Sequence, residues 1–418
     1  MKPQVSARGR SMPASPIRKL MPLADEARRR GVRVLHLNIG QPDLETPEAM
    51  RSRLARADKV LAYTPSGGTP EYLEALRGYY RGQGIDLELS QLIATTGGSE
   101  ALLFAFFATC SDGDEVLTCE PYYTNYNSFA ALAGVRIVAL RTHGEDGFHL
   151  PGREAWERAL TARTRVVLLC NPNNPTGTVY TREEVERVAD FCRDHGLFLV
   201  ADEVYREFVY DGRKAVSALT LPGFEDHVIV VDSLSKRYSA CGIRLGALAT
   251  RNSEIYQAAL RMAQGRLSPP GLAQLAATGI PEIGADYFAA VAAEYQQRRD
   301  VLFDGLTRIP GVFLRKPEGA FYFVARLPVD DAEEFARFLL SEFALDGATV
   351  MVAPAAGFYA TPGLGKDEVR IAYVLKREDL ERAIAVLAAA LPAYRKARGL
   401  DDRPALAAAA VDFHGPVV

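Results

Sequence analysis

Cysteine is scarce: five residues in 418 (Cys110, Cys119, Cys170, Cys192, Cys241), with no CxxC spacing. An odd set, thinly spread through apolar surroundings, excludes a disulfide framework and reads as reduced core thiols. Histidine is equally sparse, with six residues, no HExxH and no Cys/His cluster, so no metal site is expected. No GxGxxG occurs. The glycine turn of "GGSEALLFAFF" (97–107) lacks the lysine of a Walker loop, and "GLGKDE" (363–368) lacks its upstream glycine. No apolar stretch approaches the roughly 18 residues that span a bilayer. The longest, Ala383 to Ala393, is interrupted by Pro392. The first residues carry Lys2, Arg8 and Arg10 without an apolar run, so no signal peptide is expected and the chain reads as cytoplasmic. Net charge is only −3, with both signs interspersed, which gives no general attraction for nucleic acid or anionic lipid.

What is present is an ordinary globular balance, 48% hydrophobic and 24% charged residues, enough for a sizeable core. Short β-branched runs alternate with longer amphipathic stretches. "RVVLLC" (165–170) precedes "TREEVERVADFCRDHG" (181–196), then come "LFLVA" (197–201), "HVIVV" (227–231) and "LGALAT" (245–250). Continuous apolar strands separated by helices predict an α/β fold with a mostly parallel sheet covered on both faces. In helix 181–196, Val185, Val188, Phe191 and Cys192 fall at helical spacing, and Thr181 with Glu184 forms a capping box.

The last hundred residues differ in texture. "VFLRKPEGAFYFVARL" (312–327) and "EVRIAYVL" (368–375) read as strands beside helices 331–344 and 377–391, a smaller α+β domain. "VLHLNIG" (34–40) reads as another short strand that packs with it. The expected organisation is a mobile arm over 1–16, an N-terminal part of the small domain over 17–46, a large domain over 47–305, the C-terminal small domain over 306–395, and a tail over 396–418 with a short Ala-rich helix.

Ligands of open parallel sheets bind at the carboxyl ends of the strands, and four strand exits here are unusual. "LIATT" runs into Gly98 and Ser99 at a helix start, an anion site in form but more often a plain connection. "NPNNPTG" (171–177) is dense in amides, which is also ordinary turn chemistry. "LFLVADEVYREF" sets Asp202 just beyond a buried run, with Tyr205 one turn on; a carboxylate there must be solvated, paired or ligand-bound. "SLSKRYSACGIRLG" (233–246) follows "HVIVV" with two serines, Lys236 and, eight residues later, Arg244. Each alone favours the bland reading. Together they suit pyridoxal phosphate, which needs a lysine for its Schiff base, a carboxylate at its ring nitrogen and an anion site for its phosphate.

With these motifs in this order, the chain resembles the class I aminotransferases, the aspartate-aminotransferase-like branch of fold-type I pyridoxal-phosphate enzymes. The resemblance runs from about residue 12 to 393 and includes "LNIGQPDLETP", "YTPSGGTPEYLEAL", "TGGSEAL", "EPYYTNY", "NPNNPTG", "DEVY", the lysine motif and "VRIAYV". It implies a large domain with a mostly parallel seven-stranded sheet between helices. It also implies that Lys236 forms the Schiff base and moves the α-proton, that Asp202 keeps the ring nitrogen protonated, and that Tyr205 and Asn174 bond the ring oxygen. Tyr123 would stack on the ring. Gly98, Ser99, Ser233, Ser235 and Arg244 would hold the phosphate, joined by Tyr63 from the partner of a homodimer with shared sites. Arg370 would clamp the substrate α-carboxylate, helped by Asn174 and the Gly40 backbone. Arg266 stands near the region where dicarboxylate-specific relatives place a partner arginine, and reads equally as a structural contact. L-Aspartate or L-glutamate is the expected donor and 2-oxoglutarate the acceptor, with a ping-pong course. A lyase or synthase acting at Cβ or Cγ on the same scaffold, or a non-catalytic effector-binding descendant, are the alternatives.

Overall fold

The computed structural model describes residues 3–400; the Ala-rich helix expected in the tail lies outside the described residues. The first strand, β1 (Arg33–His36), stands apart from the main sheet. That sheet is built from β2 (Leu92–Thr95), β3 (Glu115–Glu120), β4 (Arg136–Arg141), β5 (Thr164–Cys170), β6 (Phe198–Asp202), β7 (Val228–Ser233) and β8 (Gly246–Thr250). Their order in space is β2-β8-β7-β6-β5-β3-β4. The strands from β3 to β7 pair in parallel, whereas β8 runs antiparallel to both neighbours, β2 and β7. The link between β7 and β8 holds only a four-residue helix and a short 3₁₀ turn, with no crossover helix to carry the chain back along the sheet.

β2, β7 and β8 are buried at every residue, which is why they read as largely apolar runs rather than alternating ones. Successive residues feed opposite faces. Leu117, Val167, Leu199 and Val230 join the core under helix Arg182–Asp194. Val116, Val166, Val200 and Ile229 join the core under helices Gly97–Thr109 and Ser253–Arg266. Helix Arg182–Asp194 has the reciprocal Thr181/Glu184 capping box expected from sequence. β3 and β4 are less legible in the sequence, because "EVLTCE" and "RIVALR" are runs of only four uncharged residues closed at both ends by charge.

The C-terminal third adds β9 (Phe313–Leu314), β10 (Tyr322–Arg326), β11 (Ala348–Met351), β12 (Ala353–Pro354) and β13 (Glu368–Ala372). Four of these form an antiparallel sheet in the order β12-β13-β10-β9, and β11 pairs in parallel with β1. Helix Ala285–Thr307 runs through residue 305 and gives Val291, Tyr295, Leu302 and Leu306 to the core of this part. Helix Arg377–Ala397 continues through Pro392, past the end expected at 391. A proline inside a helix forfeits one backbone hydrogen bond. Here buried Leu391 and Tyr394 anchor the last turns, and the Tyr394 hydroxyl donates to Asp330 Oδ1 at 2.7 Å.

The N-terminal segment contains a short helix, Ala7–Ser11, capped by Ser6. Farther on, Pro16 presses on Gly357, where an added Cβ would lie 2.6 Å from the proline ring. Ile17 packs on the small cluster that includes Phe358 and Val324.

Candidate active site

β6 and β7 end side by side, and each delivers one charged group. At the end of β7, Ser233 caps helix Leu234–Arg237 by accepting from the Ser235 N–H. This turn aims Lys236 away from the sheet edge. Its Nζ donates to the Gly40 carbonyl at 2.8 Å, lies 3.9 Å from Cys241 Sγ and sits 5.8 Å from the centre of the Phe321 ring. At the end of β6, Asp202 is buried and accepts from the Tyr126 hydroxyl at 2.7 Å and from the Val204 N–H at 3.4 Å. Burial pushes its carboxyl up to about 6, only partly opposed by those two donors.

Beside them, Gly97 opens helix Gly97–Thr109 with φ of +70°. The N-cap residue, Thr96, makes no side-chain cap, so the first N–H groups of Gly97, Gly98 and Ser99 have no side chain of their own helix start to bond. Arg244, itself left-handed at φ +54°, crosses this turn: a Cβ on Gly97 would come 2.6 Å from its Nη2. Its Nη1 donates to the Cys241 carbonyl at 3.0 Å and to Ser235 Oγ at 3.5 Å, and Ser233 Oγ donates to Ser235 Oγ at 2.9 Å. No carboxylate pairs with Arg244 among the described residues. Gly246 is required for the fit, since a Cβ there would meet Gly97 C at 2.7 Å and Gly98 N at 2.9 Å. The last glycine of the spacing S-x-S-K…G-x-R-x-G is thus a packing requirement of β8 against the helix start, whereas Gly242 has open space around it.

On the other side, one hydrogen-bonded chain joins six separate segments of the fold. Arg370, in β13, donates from Nη1 to Asn174 Oδ1 (3.2 Å) and from Nη2 to the Asn38 carbonyl (2.5 Å). Asn174 Nδ2 donates to the Tyr205 hydroxyl (3.5 Å), which bonds the Tyr322 hydroxyl (3.1 Å). Tyr322 donates to the Gly40 carbonyl (3.4 Å), which already accepts from Lys236. The Arg370 guanidinium lies 4.5 Å from the Tyr322 ring and 5.0 Å from the Phe358 ring. It is buried, its Nε has no partner, and all its acceptors are neutral. A buried guanidinium without a counter-anion is poised for one.

The three asparagines of "NPNNPTG" separate by role. Asn171 Oδ1 accepts from the Tyr180 N–H and Asn173 staples Thr176 and Tyr180; only Asn174 faces the site. The neighbouring tyrosines separate likewise. Tyr122 donates to Asn127, Tyr126 holds Asp202, and the half-buried Tyr123 sets its ring edge-on to Tyr126 at 5.5 Å. The Tyr123 phenol is pushed up to about 12 by burial and by Tyr322, while Arg370 pulls it down.

The structure also brings in residues that the motifs did not assign. Tyr126, Asn38 and Tyr322 answer to no spacing rule. Two predicted site residues lie elsewhere. Tyr63 is 82% exposed, in the extended segment before helix Pro70–Gly82, away from this chain's own site. Arg266 is engaged inside its own subunit: Nη1 pairs with Glu100 Oε2 (2.9 Å) and Nη2 donates to the carbonyls of Ser66 and Ala94. Glu100 Oε2 also takes the Thr96 N–H (2.7 Å), so Arg266 braces the helix start from behind.

A family model described as aminotransferase class I and II matches residues 32–387. The chain belongs to that family. It is similar to the probable aspartate/prephenate aminotransferase of Thermus aquaticus, 33% identical over 396 residues that cover 93% of this chain and 99% of that one. Among solved structures, a single mutant of Thermus thermophilus aspartate aminotransferase superposes with a TM-score of 0.84 at 31% identity, covering 93% of this chain and all of the other. Alanine aminotransferase from Pyrococcus furiosus gives 0.85 at 29%, with the same coverage. The protein is therefore an aminotransferase dependent on pyridoxal phosphate.

The residues present fit that cofactor. The Gly97 turn is a cradle that a Cβ would fill, Arg244 is a cation with only neutral partners, and Asp202 is a buried carboxyl with one oxygen held by a phenol. When bound, the cofactor supplies an aldehyde for the lysine amine and an electron-withdrawing pyridinium.

Proposed function

We propose that this aminotransferase takes the amino group of L-aspartate or L-glutamate and passes it to a 2-oxo acid such as 2-oxoglutarate, working as a cytoplasmic homodimer. The carrying observation is the buried Arg370, whose hydrogen bonds end on an amide oxygen and a backbone carbonyl and leave its charge unmatched. A planar guanidinium matches a carboxylate with two parallel hydrogen bonds. Held there, the substrate's α-carboxylate fixes the direction of its Cα–H bond, and orientation of this kind accounts for a large share of catalysis.

Lys236 Nζ is the base for that Cα proton. Its bond to the Gly40 carbonyl holds the amine on the Arg370 side of the site, because the same carbonyl anchors Tyr322. Asp202 would keep the ring nitrogen protonated, and a positive partner there would favour its ionised form. Asn174 and Tyr205 would bond the ring oxygen, and Tyr123 would cover the ring. Gly98, Ser99, Ser233, Ser235 and Arg244 would hold the phosphate dianion with backbone N–H groups, hydroxyls and one full charge.

The dimer is supported by an exposed apolar stretch, with Val60 at 77% and Leu61 at 66% beside Tyr63. A run of that kind is what an interface covers, and it would let Tyr63 reach the partner's phosphate site. The cytoplasmic reading rests on five free cysteines. Among the described residues, no helix is long and apolar enough to cross a membrane. The acidic-substrate reading is supported by the relatives' names, several of which are aspartate aminotransferases.

The test is the visible absorbance of the purified holoenzyme, followed while single amino acids are added. L-Aspartate and L-glutamate are expected to bleach the visible band, and 2-oxoglutarate to restore it. A band that no amino acid moves, or release of ammonia, overturns the reading. Sedimentation should give twice the 45.7 kDa chain mass.

A further inference from the structure

Arg370 accounts for one carboxylate, but an acidic substrate carries two. The N-terminal strap reaches the Arg370 pocket through Asn38 and Phe358. Asn38, whose carbonyl accepts from Arg370 Nη2, donates from its side chain to the Ile17 carbonyl at 3.4 Å. Ile17 packs in the cluster of Phe358, whose ring lies 5.0 Å from the Arg370 guanidinium, and Pro16 presses on Gly357 next door. The strap is therefore tied to the Arg370 pocket through a hydrogen bond and two apolar contacts. The next residue is Arg18.

Arg18 is exposed, and its guanidinium has no hydrogen bond or ion pair among the described residues. Its neighbour Lys19 is engaged with Glu333, so of this pair Arg18 is the free cation. The charge of Arg18 bears on the Tyr123 phenol, as that of Arg370 does. Tyr123 is the ring expected over the cofactor. Two guanidinium groups thus act on one phenol, one buried and clamped, the other exposed and without a partner among the described residues.

We propose that Arg18 is the specificity-determining residue for acidic substrates, bonding the distal carboxylate while Arg370 holds the α-carboxylate. This rests on the proposed acidic-substrate reading. A guanidinium bonded to the distal carboxylate would add a charge-assisted pair that a neutral side chain cannot match. The role belongs to this chain's own N-terminal strap, so it needs no arginine from a partner subunit. It also suits the observed commitment of Arg266 to Glu100.

The experiment compares holoenzyme with Arg18→Met and Arg18→Lys. One measurement is kcat/KM for L-aspartate divided by that for L-norvaline. The other is the calorimetric affinity for succinate, an unreactive dicarboxylate, against butyrate. Arg18→Met should lower both the ratio and the succinate affinity by about 10-fold to 100-fold, the scale of one hydrogen bond to a charged group. Arg18→Lys should recover part of each, because charge is kept and the planar fork is lost. If the wild type favours acidic substrates and Arg18→Met leaves ratio and succinate affinity where they were, the assignment of Arg18 fails alone. If the wild type favours L-norvaline, or does not prefer succinate to butyrate, the acidic-substrate reading and this proposal fail together.

Discussion

The Tyr126 hydroxyl donates to Asp202 Oδ2 at 2.7 Å, inside a core where neither residue meets water. This single bond fixes the carboxyl's rotation at the end of β6 and leaves its other oxygen with only a 3.4 Å contact from the Val204 N–H. Function here sets a buried acid against stability, because the charge has no cationic partner among the described residues.

That conflict predicts a pH dependence in the cofactor-free protein. Asp202 is raised from 3.8 to about 6. Below the lower value both folded and unfolded chains are protonated. Between the two, the folded chain binds the extra proton, so the contribution of this group to stability falls as pH rises. Above about 6 it stays lost, at a cost of up to about 3 kcal/mol. Cofactor-free Asp202→Asn should therefore gain thermal stability over wild type progressively from about pH 4 to 6, while its holoenzyme loses turnover. A stability difference that is flat across that range would contradict the burial argument.

Arg370→Lys retains charge but not the fork. Removing one partner of a buried, hydrogen-bonded charge pair costs about 2–5 kcal/mol. We expect kcat/KM to fall by about 30-fold to several thousand-fold for every amino acid tested, acidic or not. A loss confined to acidic substrates would mean that Arg370 holds the side chain rather than the α-carboxylate.

Gly40 has no room for a methyl group: a Cβ would stand 1.7 Å from the Tyr322 hydroxyl. Gly40→Ala must move Tyr322, the Gly40 carbonyl, or both, and the second carries Lys236. We expect a stability loss of about 1–3 kcal/mol, typical of overpacking, together with a drop in kcat. Combining it with Tyr322→Ala should recover part of that stability. Strict additivity of the two losses would show that the contact is relieved elsewhere.

Directly behind Lys236, Arg237 and Asp232 form a buried bidentate pair at 2.5 and 3.0 Å. Asp232 also takes the Ser233 N–H and the Tyr80 hydroxyl, and the guanidinium lies 4.1 Å from the centre of the Tyr79 ring. Arg237→Met leaves a buried carboxylate unpaired and should cost about 3–5 kcal/mol. The double variant Arg237→Met/Asp232→Asn should be more stable than Arg237→Met alone. Denaturant midpoints decide it, and a double variant weaker than either single would refute the unpaired-charge explanation.

Much of the site was legible in the residues because its constraints are local. Glycines at 97 and 246, a serine cap at 233 and an acid at the end of an apolar strand each answer to backbone geometry or desolvation within a few positions. The same holds for the Thr181/Glu184 capping box, and for the buried strands, whose apolar runs follow from being covered on both faces.

Other features were not local. Nothing in "EPYYTNY" says which of three aromatic rings reaches Asp202; the face that helix Asn125–Ala133 turns toward the end of β6 decides that. The direction of β8, the engagement of Arg266 with Glu100, and the approach of Ile17 to Asn38 are likewise products of packing. The chain from Arg370 through Asn174, Tyr205, Tyr322 and Gly40 to Lys236 joins residues up to 332 positions apart when Asn38 is included. The sequence by itself determined the chemical groups and the local turns that present them. Only the tertiary structure decided which groups meet, because a hydrogen bond between distant segments depends on how whole elements pack and leaves no periodic trace in either segment.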